Sequence, residues 1–228
     1  SRLSGTGVAP TADNLATMGF PRERMEVISG VVDTAFFDGE RHPSEKPTVL
    51  YVGRIRKYKG LVNPLLKAWA IILRQRPDAK LQIVGRGDYE KSLHRHIFKS
   101  GLEDSVELIG YVDEKRKLEL MRSAWLMVYP SAKEGLGLPV IEAGGVGIPT
   151  VASDSPGLRD AVRDGETGLL VPHGDANALA QAILRLIEND DLRQRLGSAA
   201  KVFSRNFDWE VMAHRVLEFI YRQFPKLQ

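Results

Sequence analysis

From about residue 48 the chain alternates short apolar runs with stretches whose apolar residues recur every three or four positions. The runs read TVLYVG, KLQIVG, VELIGYV, AWLMVYP, PTVAS and GLLVP; they are rich in Val, Ile and Leu and lack regular polar alternation. A strand with one wet face would alternate, so continuous runs predict strands covered on both faces. Between them, Leu65, Leu66, Trp69, Ile72 and Leu73, and later Leu179, Ile183, Leu186 and Ile187, fall on single helical faces. Strand and helix in alternation predict an α/β fold: a Rossmann-like parallel sheet with helices on both faces. After the last run the pattern is purely helical, over residues 175–188, 190–204 and 208–224, which predicts a helical C-terminus.

The first 47 residues fit this alternation poorly. They read as a helix near 11–19, a short strand RMEVIS, and a polar stretch DGERHPSEKP with the composition of a linker. The predicted boundary falls near residue 45. Composition then narrows the classes. The 228 residues are 43% hydrophobic, enough to bury a substantial core. A net charge of +3 from 32 basic and 29 acidic residues is too small and too spread to point to nucleic acid, so any anion preference must be local. There is no cysteine, hence no disulfide and no thiolate metal site. The longest apolar runs are strand-length, and the first ten residues lack the apolar core of a signal peptide, so the expected location is the cytoplasm.

In an open parallel sheet, ligands bind outside the carboxyl ends of the strands. Those ends are glycine-rich here: Gly53-Arg54, GRGD from Gly85 to Asp88, Gly110-Tyr111, SAKEGLGLP from Ser131 to Pro139, and Ser153-Asp154. Taken singly, each is an ordinary strand-to-helix turn. The first carries more, because Arg54, Arg56, Lys57 and Lys59 follow it just before a helix expected to start near Gly60. Cations and a helix N-terminus aimed at one spot make an anion site. Arg56 and Lys57 are assigned to solvent. Neither this loop nor GRGDYE has the glycine spacing of a dinucleotide fingerprint or a P-loop.

In KEGLGLPVIEA, Gly135 and Gly137 permit close backbone approach, and Pro139 suits the first turn of a helix. Glu134 and Glu142 flank that helix start. Helix amides suit phosphate, whereas the carboxylates repel phosphate and suit hydroxyls, so the pair implies a ligand with both phosphates and diols. A nucleotide sugar is such a ligand. The competing reading makes Glu142 a helix-stabilising acid and Glu134 a surface residue; it leaves Arg54, Lys59 and the glycines unexplained.

VGRIRKYKG, EGLGLPVIE and SPGLRDAVRDGETGLLVP, in that order, resemble the motifs of the retaining family 4, or group 1, glycosyltransferases. The resemblance runs from about residue 20 to the C-terminus and implies the C-terminal, donor-binding half of a GT-B fold. Residues 1–45 are then a remnant of an N-terminal domain with the interdomain linker, and residues 46–228 the nucleotide-sugar-binding domain. By position, it implies that Arg54 and Lys59 hold the diphosphate and neutralise the departing charge, that Glu142 accepts the ribose hydroxyls, and that Glu134 contacts the donor hexose. Arg54, Lys59 and Glu134 are thus the expected catalytic set. The backbone of Gly135, Leu136, Gly137 and Leu138 would line the sugar and phosphate pocket beside Gly53. Gly85, Gly87, Tyr111 and Val112 would border the base.

The resemblance also implies transfer without metal or other cofactor, with a nucleotide sugar and an N-terminal acceptor domain as partners. No Asp-x-Asp pair follows a strand, and His94 and His96 are not at a helix-face spacing. Leu136 stands where the family often has an aromatic residue. Gly144 and Gly145 weaken a helix by about 1 kcal/mol each relative to Ala. The stretch from Trp209 to Phe224 resembles the family's closing helix, although the residues alone assign most of its apolar face to ordinary core. Alternatives are a nucleotide-sugar epimerase or phosphorylase of related fold and a non-catalytic binding module. The base, sugar and acceptor, and any membrane attachment through the other half, stay open.

Overall fold

The computed structural model of the chain describes residues 15–25 and 30–224. Strands β1 Thr48–Val52, β2 Lys80–Val84, β3 Val106–Gly110, β4 Leu126–Tyr129, β5 Thr150–Ser153 and β6 Gly168–Val171 form one sheet in the order β3-β2-β1-β4-β5-β6. Every neighbouring pair is parallel. Strands β1, β4 and β5 are buried at every position, the physical reason for their unbroken apolar runs. Edge strand β3 differs, with Glu107 exposed. The strand order reverses between β1 and β4, so a crevice opens where their carboxyl ends part.

The helices are α1 Thr34–Phe37, α2 Lys67–Gln75, α3 Glu90–Lys99, α4 Glu114–Ser123, α5 Leu138–Val146, α6 Leu158–Ala161, α7 Ala176–Glu188, α8 Asp190–Ser204 and α9 Trp209–Gln223. One layer pairs α2 with α7, which also lies on β5 and β6. In the other, α5 packs between α4 and α8 and against β4 and β5. The side chains of Asp113, Asp175, Asn189 and Asp208 accept backbone N–H groups at the starts of α4, α7, α8 and α9, which fixes where those helices begin.

Three expectations change. The helix after β1 does not start at Gly60: Leu61–Leu66 form a wide π-type turn, with Asn63 extended, and regular α-helix begins at Lys67. Pro64 is the cause, since it disfavours helical geometry at the residue before it and has no N–H to donate. Most apolar residues of α9 are not core. Met212 is its buried residue, while Trp209, Val211, Leu217 and Tyr221 are exposed, because the helix packs chiefly on the turn Arg205–Phe207 beyond the sheet. At the N-terminus, residues 15–17 are helical, and the 3-10 turn Arg22–Arg24 takes in the first residue of the expected strand, with Met25 after it extended. The remainder of those two elements, residues 11–14 and 26–29, lies outside the described residues.

The stretch with linker composition is held along the domain. Arg41 donates to the carbonyls of Ala124 (2.6 Å) and Gly147 (3.3 Å), Arg122 to that of Asp38 (2.5 Å), and the Trp125 indole to that of Ser44 (2.8 Å). Val32 and Phe37 join the core. No helix among the described residues is long and apolar enough to cross a membrane.

Gly144 and Gly145 are explained by packing. A Cβ at Gly144 would stand 3.0 Å from the Ala200 carbonyl oxygen, and one at Gly145 3.0 Å from Phe37 Cβ, so the glycines let α5 approach α8 and α1 closely. The same contact contains Gly197 of α8, where a Cβ would meet the Gly147 carbonyl oxygen at 2.3 Å. Alanine ordinarily gains about 1 kcal/mol over glycine within a helix. Here overpacking against backbone, about 1–3 kcal/mol, outweighs it. Gly197→Ala should lower the urea midpoint, and a raised midpoint would show that the α5–α8 contact is loose.

Candidate functional site

The site is built on two tyrosines. Tyr51 of β1 and Tyr129 of β4 stack with ring centres 5.4 Å apart, both buried, and Tyr51 Oη donates to the Arg54 carbonyl at 3.1 Å. A Cβ at Gly53 would meet the two hydroxyls at 2.9 and 3.0 Å, so glycine here lets the chain turn directly over them. Burial above all, then neighbouring groups including Glu134, pushes both phenols well above their ordinary pKa, and they stay protonated.

Beyond Gly53 the four cations part company. Lys59 ends the turn Lys57–Lys59 and is followed by Gly60 at φ +75°, where a Cβ would meet the Pro130 carbonyl oxygen at 2.2 Å. That close approach seats the loop against the exit of β4. Lys59 is 5% exposed; its Nζ pairs with Glu134 Oε1 at 2.5 Å and lies 5.3 Å from the centres of the Tyr58 and Tyr129 rings. Arg56 pairs with Asp88 at 2.9 Å in solvent, and Lys57 is exposed. Arg54 is exposed at the crevice, and its guanidinium has no ion-pair partner among the described residues.

The loop carrying Glu134 is pinned from both sides. Ala132 N–H donates to the Tyr58 carbonyl (2.9 Å), Ser155 Oγ to that of Ser131 (2.9 Å) and Glu134 N–H to that of Pro156 (3.1 Å). At Gly157, φ +82°, a Cβ would stand 2.3 Å from the Glu134 carbonyl oxygen. Gly135 has open space above it, Leu136 is buried, and Gly137 at φ +75° turns the chain into α5, whose start has no side-chain cap. Leu138 is partly exposed beside it.

An open cleft of 310 Å³ lies at the carboxyl ends of β1, β2 and β3, lined by Gly53, Arg54, Gly85, Arg86, Tyr111, Val112, Glu114 and Lys117 among others. Gly85 and Gly87 have a structural task of their own: Cβ atoms there would lie 2.0 Å from the carbonyl oxygens of Gly53 and Ile55. Gly87 borders a separate groove with Asp88, Lys91 and His94. Gly53, Arg54, Gly85, Tyr111 and Val112 are therefore brought together, Lys59 and Glu134 meet beside them, and Gly87 stands apart.

Glu142, one turn into α5, faces α4. Lys117 Nζ lies 2.8 Å from its Oε2 and 2.7 Å from Glu114 Oε2. The ammonium is close to Glu142 but off the hydrogen-bonding direction, so Oε2 is buried without an aligned hydrogen bond. Burial raises the Glu142 pKa above its ordinary value, with Lys117 opposing; Lys117 is itself raised, because Glu114 and Glu142 more than offset its burial. Reasoning from sequence missed Lys117, Tyr51 and Tyr129. A tyrosine near the end of the two apolar runs TVLYVG and AWLMVYP was a usable signal. Lys117, within EKRK, looks like any solvated charge.

The raised Glu142 pKa has a defined sign for stability. The folded carboxyl holds its proton to higher pH than the unfolded one, so it adds stability below 4.5 and loses it as pH rises through the folded value. Glu142→Gln removes that dependence. Its urea midpoint should gain on the wild type as pH climbs from 4.5 towards neutrality; a gap that stays flat or reverses would mean that the Lys117 pair outweighs burial.

Comparison with known proteins agrees with this architecture. Residues 32–203 match the model of the family Glycosyl transferases group 1. The phosphatidyl-myo-inositol mannosyltransferase of Mycobacterium leprae is 37% identical over 177 residues, covering 77% of this chain and 46% of the relative. The D-inositol 3-phosphate glycosyltransferase of a Nocardioides species is 31% identical over 224 residues, covering 88% and 48%. Among solved structures, S. aureus TarM in complex with UDP and other ligands superposes with a TM-score of 0.82 at 25% identity, over 94% of this chain and 43% of that one. The sucrose-phosphate synthase of Thermosynechococcus elongatus gives 0.75 at 29%, over 89% and 53%. The chain spans about half the length of the curated relatives it matches. By the family match over most of its length, this chain belongs to the group 1 glycosyltransferases.

Proposed function

We propose that this chain is the donor half of a retaining glycosyltransferase, binding a nucleoside-diphosphate sugar for transfer to an acceptor held by an N-terminal domain. The observation that carries the reading is the Lys59–Glu134 pair, buried on the tyrosine stack between an exposed Arg54 and the uncapped start of α5. Cations and helix amides suit the diphosphate, and a carboxylate beside them suits sugar hydroxyls. UDP bound to the TarM structure supports a nucleotide donor. In transfer, the bond from the anomeric carbon to the diphosphate oxygen breaks, a bond to the acceptor oxygen forms, and the acceptor's proton passes to the departing diphosphate. Arg54 and Lys59 stabilise the negative charge on the departing diphosphate. The reading needs no metal, because those two side chains supply the cationic charge, and it places the reaction in the cytoplasm. The exposed apolar residues of α9 suit contact with the N-terminal domain.

Calorimetric titration with UDP, GDP and their hexose conjugates tests the reading. The chain should bind a nucleoside diphosphate, in chelator as well as without it, and should transfer no sugar alone, because closure of two domains completes such sites. Arg54→Ala should weaken binding by about 1.5–3 kcal/mol. Lys59→Ala should lose affinity and also about 3 kcal/mol of stability, because it leaves buried Glu134 unpaired. Lys57→Ala should change neither, and equal losses at all three positions would replace the assignment with a diffuse basic patch. Glu134→Ala frees Lys59 for the phosphates, so diphosphate binding should hold or tighten while the affinity added by the sugar disappears. A sugar increment that survives this change would remove Glu134 as the hexose ligand.

A further inference from the structure

Lys117 has no role in the motifs that mark the site, yet it joins the cleft wall to one of the two carboxylates. It stands on α4, a turn past the capping Asp113, and its side chain is 11% exposed. Its ammonium sits between Glu114 and Glu142 and 5.3 Å from the centre of the Phe37 ring. The two acids differ: Glu114 is 68% exposed and well solvated, whereas Glu142 is 16% exposed. Water stabilises the charge of Glu114, but Glu142 has lost most of its water, and Lys117 is the cation beside it.

The charged and titratable groups acting on this carboxyl are Lys117 and Glu114 of α4, with Tyr129 of β4 coupled to it. Two carboxylates on one ammonium leave a net negative charge at the cleft wall. Oε2 is buried against the Lys117 ammonium and out of reach of a ligand, and the remaining exposure of the side chain leaves its other oxygen, Oε1, as the acceptor. The arrangement holds Glu142 by charge while leaving it able to accept hydroxyl donors. Phe37 backs the ammonium on the side away from water, and it belongs to the segment preceding β1.

We propose that Lys117, itself in the cleft wall, is a positioning residue that keeps the neighbouring Glu142 carboxylate charged and fixed, so that it accepts the vicinal hydroxyls of the nucleotide ribose. This rests on the nucleotide-sugar reading above. A positioning role differs from a packing role in what it moves: the titration of Glu142 and the preference for an intact ribose diol.

The test uses this chain, carrying 13C at glutamate carboxyls, as wild type, Lys117→Met and Glu114→Gln. The resonance of Glu142, assigned by its loss in Glu142→Gln, is followed against pH without ligand. Lys117→Met should raise the Glu142 midpoint and Glu114→Gln should lower it; Glu114 is on the surface, so its variant retains the fold. UDP and GDP, each with its 2′,3′-dideoxy analogue, serve as ligand probes. The wild type should prefer the diol by about tenfold or more, as expected for hydrogen bonds to a charged acceptor. Lys117→Met should lose most of that preference near pH 6 and regain part of it at higher pH, where Glu142 ionises again. Midpoints that coincide in all three proteins, or an unchanged diol preference in Lys117→Met, would overturn the proposal. If the wild type binds neither diphosphate, the nucleotide reading fails, and the carboxyl midpoints alone decide whether Lys117 holds Glu142 charged.

Discussion

The Lys59–Glu134 ion pair is the contact on which the rest of the site depends. It joins the loop after β1 to the loop after β4 across the point where the strand order reverses. Two opposite charges this deeply buried are tolerable only together, since either alone would face a desolvation cost of several kcal/mol. The pair therefore constrains the backbone around it. Gly60 must admit the Pro130 carbonyl, Gly157 must admit that of Glu134, and Tyr129 must offer a ring face beneath the ammonium. A ligand that engages Lys59 and Glu134 replaces an existing interaction. On the proposed reading, binding is an exchange of partners on a prepared frame, not the filling of a vacant charge.

Much of the frame was legible in the sequence because burial writes itself plainly there. Strands β1, β4 and β5 are buried at every residue, which no alternating pattern could mimic, and the three C-terminal helices lie within a residue or two of their expected bounds. Pro64 illustrates the opposite case. A periodic apolar pattern runs through residues 61–73, yet one proline displaces the start of regular helix to Lys67. A local backbone rule overrode a correct hydrophobic face.

The site was legible in part, for a related reason. Arg54, Lys59, Glu134 and Glu142 stand out because charge at the end of an apolar run is conspicuous. Lys117 is not conspicuous, since its partners lie on another helix and its neighbours in sequence are equally charged. The glycines misled differently. Gly85 and Gly87 look like ligand-approach positions, but Cβ atoms there would collide with the backbone of the loop after β1, so their first requirement is internal. Gly135 is the contrasting glycine, with nothing within 4 Å of a Cβ built on it. From sequence alone these three residues are indistinguishable.

The polar segment before β1 bears on the site through the same kind of hidden contact. Its composition suggests a loose connector, but Arg41, Asp38 and Ser44 bind it along α4 and the end of α5, and Phe37 lies beneath Lys117. Residues outside the sheet thus support the lysine that lines the cleft and the carboxylate paired with it. Trp209, Val211, Leu217 and Tyr221 of α9 leave apolar side chains exposed at the other end of the chain. A cleft at the carboxyl ends of the strands and exposed apolar side chains on α9 are both accounted for by the proposed reading as the donor half of a two-domain enzyme. On that reading the donor's chemistry is organised within this half, while exclusion of water from the reacting bond comes from what closes over it.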